Sequence, residues 1–316
     1  MSRVYISLPL SGPSAVPGRD VLRGAELAFE RAGNPVDSVV LDSAGENREH
    51  RAVENARRAA RDADALAYLG DFHSSQVLET APILGEAGLL QIAPVATYIG
   101  LGGPTLIRLL PHDGVGSRAV AHWLVREGVT SLLVAHDHDR GYGIPVGALC
   151  AEAAKERGVE VRLRPVWDDD ESPTADLGDA QAFLYVGVAG SGAPGLWWDL
   201  HGANPALWLL GSEGVAQAWF ARELSDSMAE RTRFFVAARA PLAFYGYEGM
   251  ALILDAVAQE GYDRAAVARA ARATRDRASI IGRYSIDDDG HTTATAYGRL
   301  AVADGKLAWD GEQSAA

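Results

Sequence analysis

Cysteine is nearly absent from this chain: Cys150 stands alone among 316 residues. An internal disulfide is excluded, and cysteine usage says nothing about the redox compartment. The apolar spacing around Cys150 points to a buried structural thiol rather than a nucleophile. Positive charge is scarce too: 29 Lys and Arg face 42 Asp and Glu, for a formal net charge of −13. No basic stretch offers a surface for nucleic acid or an anionic membrane. No apolar run reaches the ~18 residues of a membrane span. The N-terminus, Met1-Ser-Arg-Val-Tyr-Ile-Ser-Leu-Pro-Leu, lacks a leader's long apolar region and reads directly as a strand. The expectation is therefore a cytoplasmic chain, or an extracytoplasmic one (periplasm or cell-surface lipoprotein) whose leader is removed. G-x-S-x-G, P-loop and H-E-x-x-H patterns are missing as well.

What is present is a chain that can bury a sizeable core, 48% hydrophobic and 22% charged, of a length that suits about two domains. Short apolar runs alternate with amphipathic segments. The strand candidates are Val4–Leu8, Ala65–Leu69, Leu89–Ile92, Ser131–Ala135, Val159–Pro165, Ala182–Val186, Leu207–Leu210 and Phe234–Ala238. Several are unbroken Val/Leu/Ile/Ala runs, as in strands covered on both faces. Between them, Asp20 is expected to cap a first helix. Further helices are expected over Ser74–Glu86, Gly114–Glu127, Gly143–Arg157, Val215–Met228 and Phe244–Gln259, with Gly33, Gly88, Gly128 and Gly158 at helix ends. This alternation predicts α/β architecture with doubly wound, Rossmann-like parallel sheets. Asp304-Gly305, between Tyr297–Val302 and Lys306–Trp309, signals a closing hairpin. Pro111–Gly114 and Ala237–Pro241 hold turn-prone residues suited to crossings between lobes.

In open parallel sheets, ligands bind beyond the carboxyl ends of the strands. Those positions carry Ser11-Gly-Pro-Ser14, Gly70-Asp-Phe-His-Ser-Ser75, Ala93-Pro-Val-Ala-Thr97, His136–Tyr142, Gly187-Val-Ala-Gly190 and Gly211-Ser-Glu-Gly214. Ser74 and Ser75 also open a helix, where unbonded N–H groups and the positive dipole end favour an anion. A carboxylate suits that place, and Glu213 suits an ammonium. Together they describe a site for a zwitterion. The plainer alternative leaves Ser74 as an N-cap and Glu213 as a loop acid.

Other patterns invite sharper chemistry. Gly190-Ser-Gly-Ala-Pro-Gly195 matches G-x-G-x-x-G after a strand, with Glu213 about where a ribose-binding acid would stand. Pro194 and the short following helix, Leu196–His201, favour loop glycines over an NAD(P)-dependent enzyme. His136-Asp-His-Asp139 looks metal-like, yet alternate residues of an extended segment face opposite ways and no second cluster completes a shell. Asp168–Glu171 lacks the glycine and terminal Glu of a calcium loop and reads as solvated acid. No metal and no cofactor is expected. Trp197, Trp198, Trp208 and Trp219 read as core and lobe surface.

Pro9-Leu-Ser-Gly-Pro13, Gly24-Ala-Glu-Leu-Ala28, Tyr68-Leu-Gly-Asp-Phe-His-Ser-Ser75, Ala81-Pro-Ile83, Glu86-Ala-Gly88, Gln91-Ile-Ala-Pro-Val-Ala-Thr97, Asp137 to Tyr142-Gly143, Gly211-Ser-Glu-Gly214, Tyr245-Gly-Tyr-Glu-Gly249 and Ile281–Gly290 occur in that order. Over nearly its whole length the chain thereby resembles the type I periplasmic binding proteins, specifically the branched-chain amino-acid (Leu/Ile/Val) receptors of ABC transporters. The resemblance implies two lobes joined by three crossover segments: residues 1–112 with 241–294, and 113–240 with 295–316. It implies a non-enzymatic monomer that closes by a hinge on a small amino acid and presents it to a membrane permease. Ser74 and Thr97 match positions that hold the ligand carboxylate, with Ser75 and Ala96 beside them. Val95 matches a carbonyl that receives the ammonium, Glu213 the acid that pairs with it, and Tyr142 a tyrosine that closes over the ligand. Pro17 stands where an aromatic lid is common, and Val188-Ala189 where a tyrosine lines the side-chain pocket; Phe244 or Leu242 is a further wall candidate. The N-lobe disulfide of some members is absent, with His73 at one of its positions. The groups for the ligand's ends are thus kept and the walls altered. A cytosolic amide or amino-acid sensor of the same fold is the alternative.

Overall fold

A strand such as Ala-Leu-Ala-Tyr-Leu (65–69) has no polar face to offer water, so helices must cover it on both sides. The computed structural model of the chain, which describes residues 2–44, 48–138, 141–165, 172–187, 193–237, 240–294 and 297–313, has this arrangement twice. By its contacts the chain divides into two compact units, Met1–Pro111 with Ala240–Ala294 and His112–Arg239 with Thr295–Ala316.

The first unit opens with β1 (Arg3–Leu8), α1 (Ala15–Arg31), β2 (Asp37–Asp42), α2 (Arg48–Arg61), β3 (Ala65–Leu69), α3 (Ser74–Glu86), β4 (Leu90–Ala93) and β5 (Leu106–Arg108). The second follows with α4 (Asp113–Arg126), β6 (Ser131–His136), α5 (Gly143–Glu156), β7 (Glu160–Pro165), β8 (Ala182–Val186), α6 (Ala193–Ala203), β9 (Trp208–Gly211), α7 (Ala218–Arg222), α8 (Asp226–Arg231) and β10 (Thr232–Val236). The chain returns to the first unit for α9 (Leu242–Glu260), α10 (Arg264–Arg272) and the hairpin β11 (Arg277–Ser279) and β12 (Gly282–Tyr284). It ends in the second with β13 (Tyr297–Ala303) and β14 (Lys306–Gln313).

Among the described residues, the first sheet is parallel in the order β2-β1-β3-β4-β5. Its two faces are covered by different helices. Tyr5 and Tyr68 pack with Ala56, Ala59 and Leu84 of α2 and α3. Leu69 and Ile92 instead meet α9 at Gly249. The second sheet runs β14-β13-β10-β9-β8-β6-β7, parallel from β7 to β10 and antiparallel through the terminal hairpin. On one face Phe183, Tyr185, Leu209 and Phe234 bury against Trp197, Phe220 and Met228. On the other, Trp123 of α4 stacks edge-on against Trp208 and Phe235, with centroids 5.1 and 5.8 Å away. Trp198 and Trp219 remain 51% and 41% exposed.

Two sequence expectations need correction. Asp20 does not cap the first helix. The N-cap position is Ser14, whose side chain makes no capping bond, α1 starts at Ala15, and Asp20 pairs with Arg23 one turn on at 2.9 Å; Pro17 sits in the first turn, where a missing N–H costs nothing. The expected helix Val215–Met228 is a 3₁₀ turn, Glu213–Val215, followed by α7 and α8. The hydroxyl of Ser225 accepts from Met228 N and starts α8 afresh, so its local bond wins over a continuous ladder. Elements were also missed: β2, β5, α2, α10, β11 and β12. The buried face of α2 is Ala52, Ala56 and Ala59, too weakly apolar to register as a periodicity. β2 is an edge strand with its residues largely exposed.

α1 and α9 approach so closely that side chains are excluded. A Cβ on Gly24 would stand 1.7 Å from Ala243 O, and one on Gly246 2.0 Å from Val21 O. Gly24→Ala is expected to force the helices apart and cost about 2 kcal/mol, read as a lower urea midpoint; an unchanged midpoint would contradict this packing.

Candidate functional site

In the first unit the polar residues collect where β1, β3 and β4 end. α3 starts at Ser74, and its N-cap is His73, whose N–H donates to Gln76 Oε1 at 3.4 Å. Ser74 is therefore not the cap. Its Oγ accepts instead from the N–H of Thr97 at 3.3 Å and of Tyr98 at 3.2 Å. Ser74 and Thr97 are thus brought together, Thr97 8% exposed, with Ser75 and Val95 near them along the chain. The side chain of Ala96 points into the core beside Val77, Ala81 and Leu106, so only its backbone belongs to this group. The segment after β4 is fastened from beneath. Arg108, fully buried on β5, donates to Tyr98 O, and His291 Nε2 lies 3.0 Å from Leu101 O.

Two carboxylates hold the neighbouring loops. Asp42 accepts from Leu10 N at 2.8 Å, Ala44 N at 2.9 Å and Ser11 Oγ at 2.6 Å. Burial pushes its carboxyl up, but those donors and Arg51 outweigh it and hold the group below its ordinary value. Asp71 is fully buried and bonded to Ser7, Tyr68 and Thr80; burial dominates there and raises its carboxyl to about 6. Gly70 is required beside it: φ is +142°, and a Cβ would stand 2.3 Å from Ser7 O.

The second unit gathers an acidic group. Glu213 opens the turn after β9, and its Oε2 accepts from Ala237 N at 3.2 Å. Desolvation raises its carboxyl to about 7; the Ala237 N–H opposes the shift and nearby Asp113 adds to it. Tyr142, the N-cap of α5, is hydrogen-bonded to Ser212 and to the backbone of Gly214. Burial, then Asp113 and Glu213, push its hydroxyl far above the usual tyrosine value. Tyr297 joins the same group: burial, then Glu213, Asp113 and Tyr142, raise it too, and its ring fills the space over Gly116. Tyr142 and Glu213 were expected here; Asp113 and Tyr297 were not. Cys150 lies behind them, 3.5 Å from Ser117 Oγ, and burial pushes its thiol to about 12.

Pro17 is in the first turn of α1, and Phe244, 37% exposed, is in the first turn of α9. Ala189, with Val188, lies outside the described residues, as do Gly190–Gly192, Asp139 and Asp168–Glu171. His136 is 5% exposed with its Nδ1 2.6 Å from Asp137 O, whereas His138 is exposed. Among the described residues no three His, Cys, Asp or Glu are placed to hold a metal ion, and no helix is long and apolar enough to cross a membrane.

Two units built on parallel sheets, with the chain alternating between them and polar loops at the carboxyl ends of the strands, define the type I periplasmic binding protein class. The chain belongs to the periplasmic binding protein family, whose sequence profile matches residues 4–182. It is similar to Leu/Ile/Val-binding protein homolog 3 of Brucella melitensis, 27% identical over 230 residues, 67% of this chain and 61% of that protein; the match thus spans about three fifths of that relative. A leucine binding protein from Thermotoga maritima shares the fold at a TM-score of 0.84 and 20% identity, over 99% of both chains. A solute binding protein of an ABC transporter from R. palustris, solved with benzoate, does so at 0.77 and 18%, over 99% of this chain and 96% of that one.

The carboxyls of Glu213 and Asp71, at about 7 and about 6, both lie above their ordinary values of 4.5 and 3.8. A group raised in the folded state adds stability that is present below its unfolded value and lost as pH rises through the folded one. The melting temperature of the ligand-free chain should therefore climb as pH falls from about 8 to about 5. Glu213→Gln should flatten the part of the profile near 7. Thermal denaturation across that range checks both expectations.

Proposed function

We propose that this chain captures a small amino-acid-like zwitterion for an extracytoplasmic ABC transport system and catalyses no reaction. The Ser74 hydroxyl carries the reading. A hydroxyl has one proton to give and two lone pairs to receive. Thr97 N and Tyr98 N fill the receiving side, so what the group has left is a proton to donate. Beside the opening N–H groups of α3, it suits an acceptor, and a ligand carboxylate is the natural one. Glu213 supplies the complement. Its burial penalises the charged form, and a ligand ammonium offsets that penalty.

In this reading the carboxylate goes to Ser74, Ser75 and Thr97, and the ammonium to Glu213 and Val95 O, with Tyr142 beside them. Pro17, Ala189 and Phe244 are the proposed walls that select the side chain. Leucine and benzoate, named for the two structural neighbours, share a carboxylate, but only leucine brings an ammonium. Glu213 therefore favours the amino acid, and family membership favours capture for transport over a cytosolic sensor.

A thermal-shift screen with amino acids, acetamide, benzoate and NAD tests the class of ligand. Amino acids are expected to stabilise the chain; stabilisation by NAD, or by benzoate alone, would overturn the reading. In calorimetry Glu213→Ala should lose affinity for the stabilising amino acid on the order of a hundredfold, while still melting cooperatively. Tight binding by that variant would sink the zwitterion assignment.

A further inference from the structure

We infer that Asp71 is a positioning residue, whose buried carboxylate fixes the two loops that carry Ser74 and Thr97. The inference rests on the zwitterion reading for what these loops hold, but not for how they are held. Asp71 is fully buried in the first unit, and among the described residues it is bonded to the neutral hydroxyls of Ser7, Tyr68 and Thr80.

The directions of the bonds from the two amides and from Ser7 and Thr80 can be worked out. Asn55 Nδ2 on α2 donates to Ser7 Oγ at 3.1 Å, and Ser7 Oγ donates to Asp71 Oδ1 at 2.7 Å. Gln91 Nε2 on β4 donates to Thr80 Oγ1 at 2.9 Å, and Thr80 Oγ1 donates to Asp71 Oδ2 at 2.9 Å. The amide orientations are fixed independently, because the same Nδ2 also donates to Asp42 O at 3.3 Å and the same Nε2 to Gly70 O at 2.9 Å. An amide nitrogen only donates. Ser7 and Thr80 therefore have their protons directed at Asp71. The Tyr68 hydroxyl adds a third donor, 3.1 and 3.3 Å from the two oxygens. Position 71 must accept on both atoms, and a carboxylate is the side chain that does so.

The network reaches α2, β1, β3, α3 and β4, the elements around both loops. Asp71 lies in the segment leading into α3, three residues before Ser74. Through Thr80 it reaches Gln91, on the strand that leads into Ala93–Thr97. Gly70 N donates to Ile92 O at 2.8 Å and closes the link between the two segments. A core under no functional demand favours apolar packing at such a place, since a buried charge with neutral partners costs stability. The charge is retained where loop geometry matters more than stability.

Asp71→Asn in the full chain separates these roles, because it places an NH₂ group where hydroxyl protons already point. Hydrogen exchange of the ligand-free protein is expected to quicken at least tenfold in residues 72–75 and 96–98, with β8 and β9 unchanged. L-leucine affinity, measured by calorimetry, is expected to fall about tenfold while the melting temperature holds, since the cost of burying a charge disappears with the clamp. Tyr68→Phe, which removes one donor, should move the same loops by less and keeps the test alive if the first variant does not fold. Unchanged loop exchange in the folded variants would overturn the inference, as would faster exchange spread evenly over the first unit. If the wild-type chain binds no amino acid, the zwitterion reading fails, and the exchange comparison still decides the role of Asp71.

Discussion

A parallel sheet covered on both faces leaves its charged chemistry to the strand ends. In β3, β6 and β8 every residue is buried. Nothing charged fits along those strands, and the helices that cover them turn away where the strands finish. There the first N–H groups of a following helix have no partner within the helix itself. The groups proposed to bind are Ser74 and Thr97 in one unit and Tyr142 and Glu213 in the other, all just past such ends. Their placement follows from covering the sheets.

The two units put opposite chemistry there. The first ends in donors: a serine hydroxyl whose lone pairs are filled, and the opening N–H groups of α3. The second ends in acceptors, with Asp113 and Glu213 raising the hydroxyls of Tyr142 and Tyr297 beside them. The supporting shells differ in kind. In the first unit a directional hydrogen-bond network ends on Asp71; in the second, desolvation itself holds Glu213 near neutrality in charge. One arrangement spends stability on position, the other on readiness for a cation.

Much of this was legible in the residues, though unevenly. Ala65–Leu69 and Ala182–Val186 were read to the residue because a short unbroken apolar run has one sensible environment. α2 escaped because its inner face is alanine, and β2 because an edge strand is only partly covered. Ser74 was visible as a polar residue after a strand, but its cap assignment failed. Whether a serine caps or bonds elsewhere depends on Thr97, 23 positions away. Tyr142 and Glu213 were legible by position. Asp113 and Tyr297 were not, since they reach the group from a helix start and a late hairpin.

By itself the sequence determined the alternation of strand and helix, the closing hairpin and the places where polar residues follow strands. These depend on local periodicity and on side chains with one plausible environment. Only the tertiary structure decided which of those polar residues meet. Asp71 was in plain view within Gly70–Ser75, yet its place as the acceptor of the hydroxyl protons comes from Ser7, 64 residues earlier, and from amides on α2 and β4 that donate to those hydroxyls. Hydrogen-bond direction is set by partners that the chain brings together only on folding, and no spacing in the sequence encodes it.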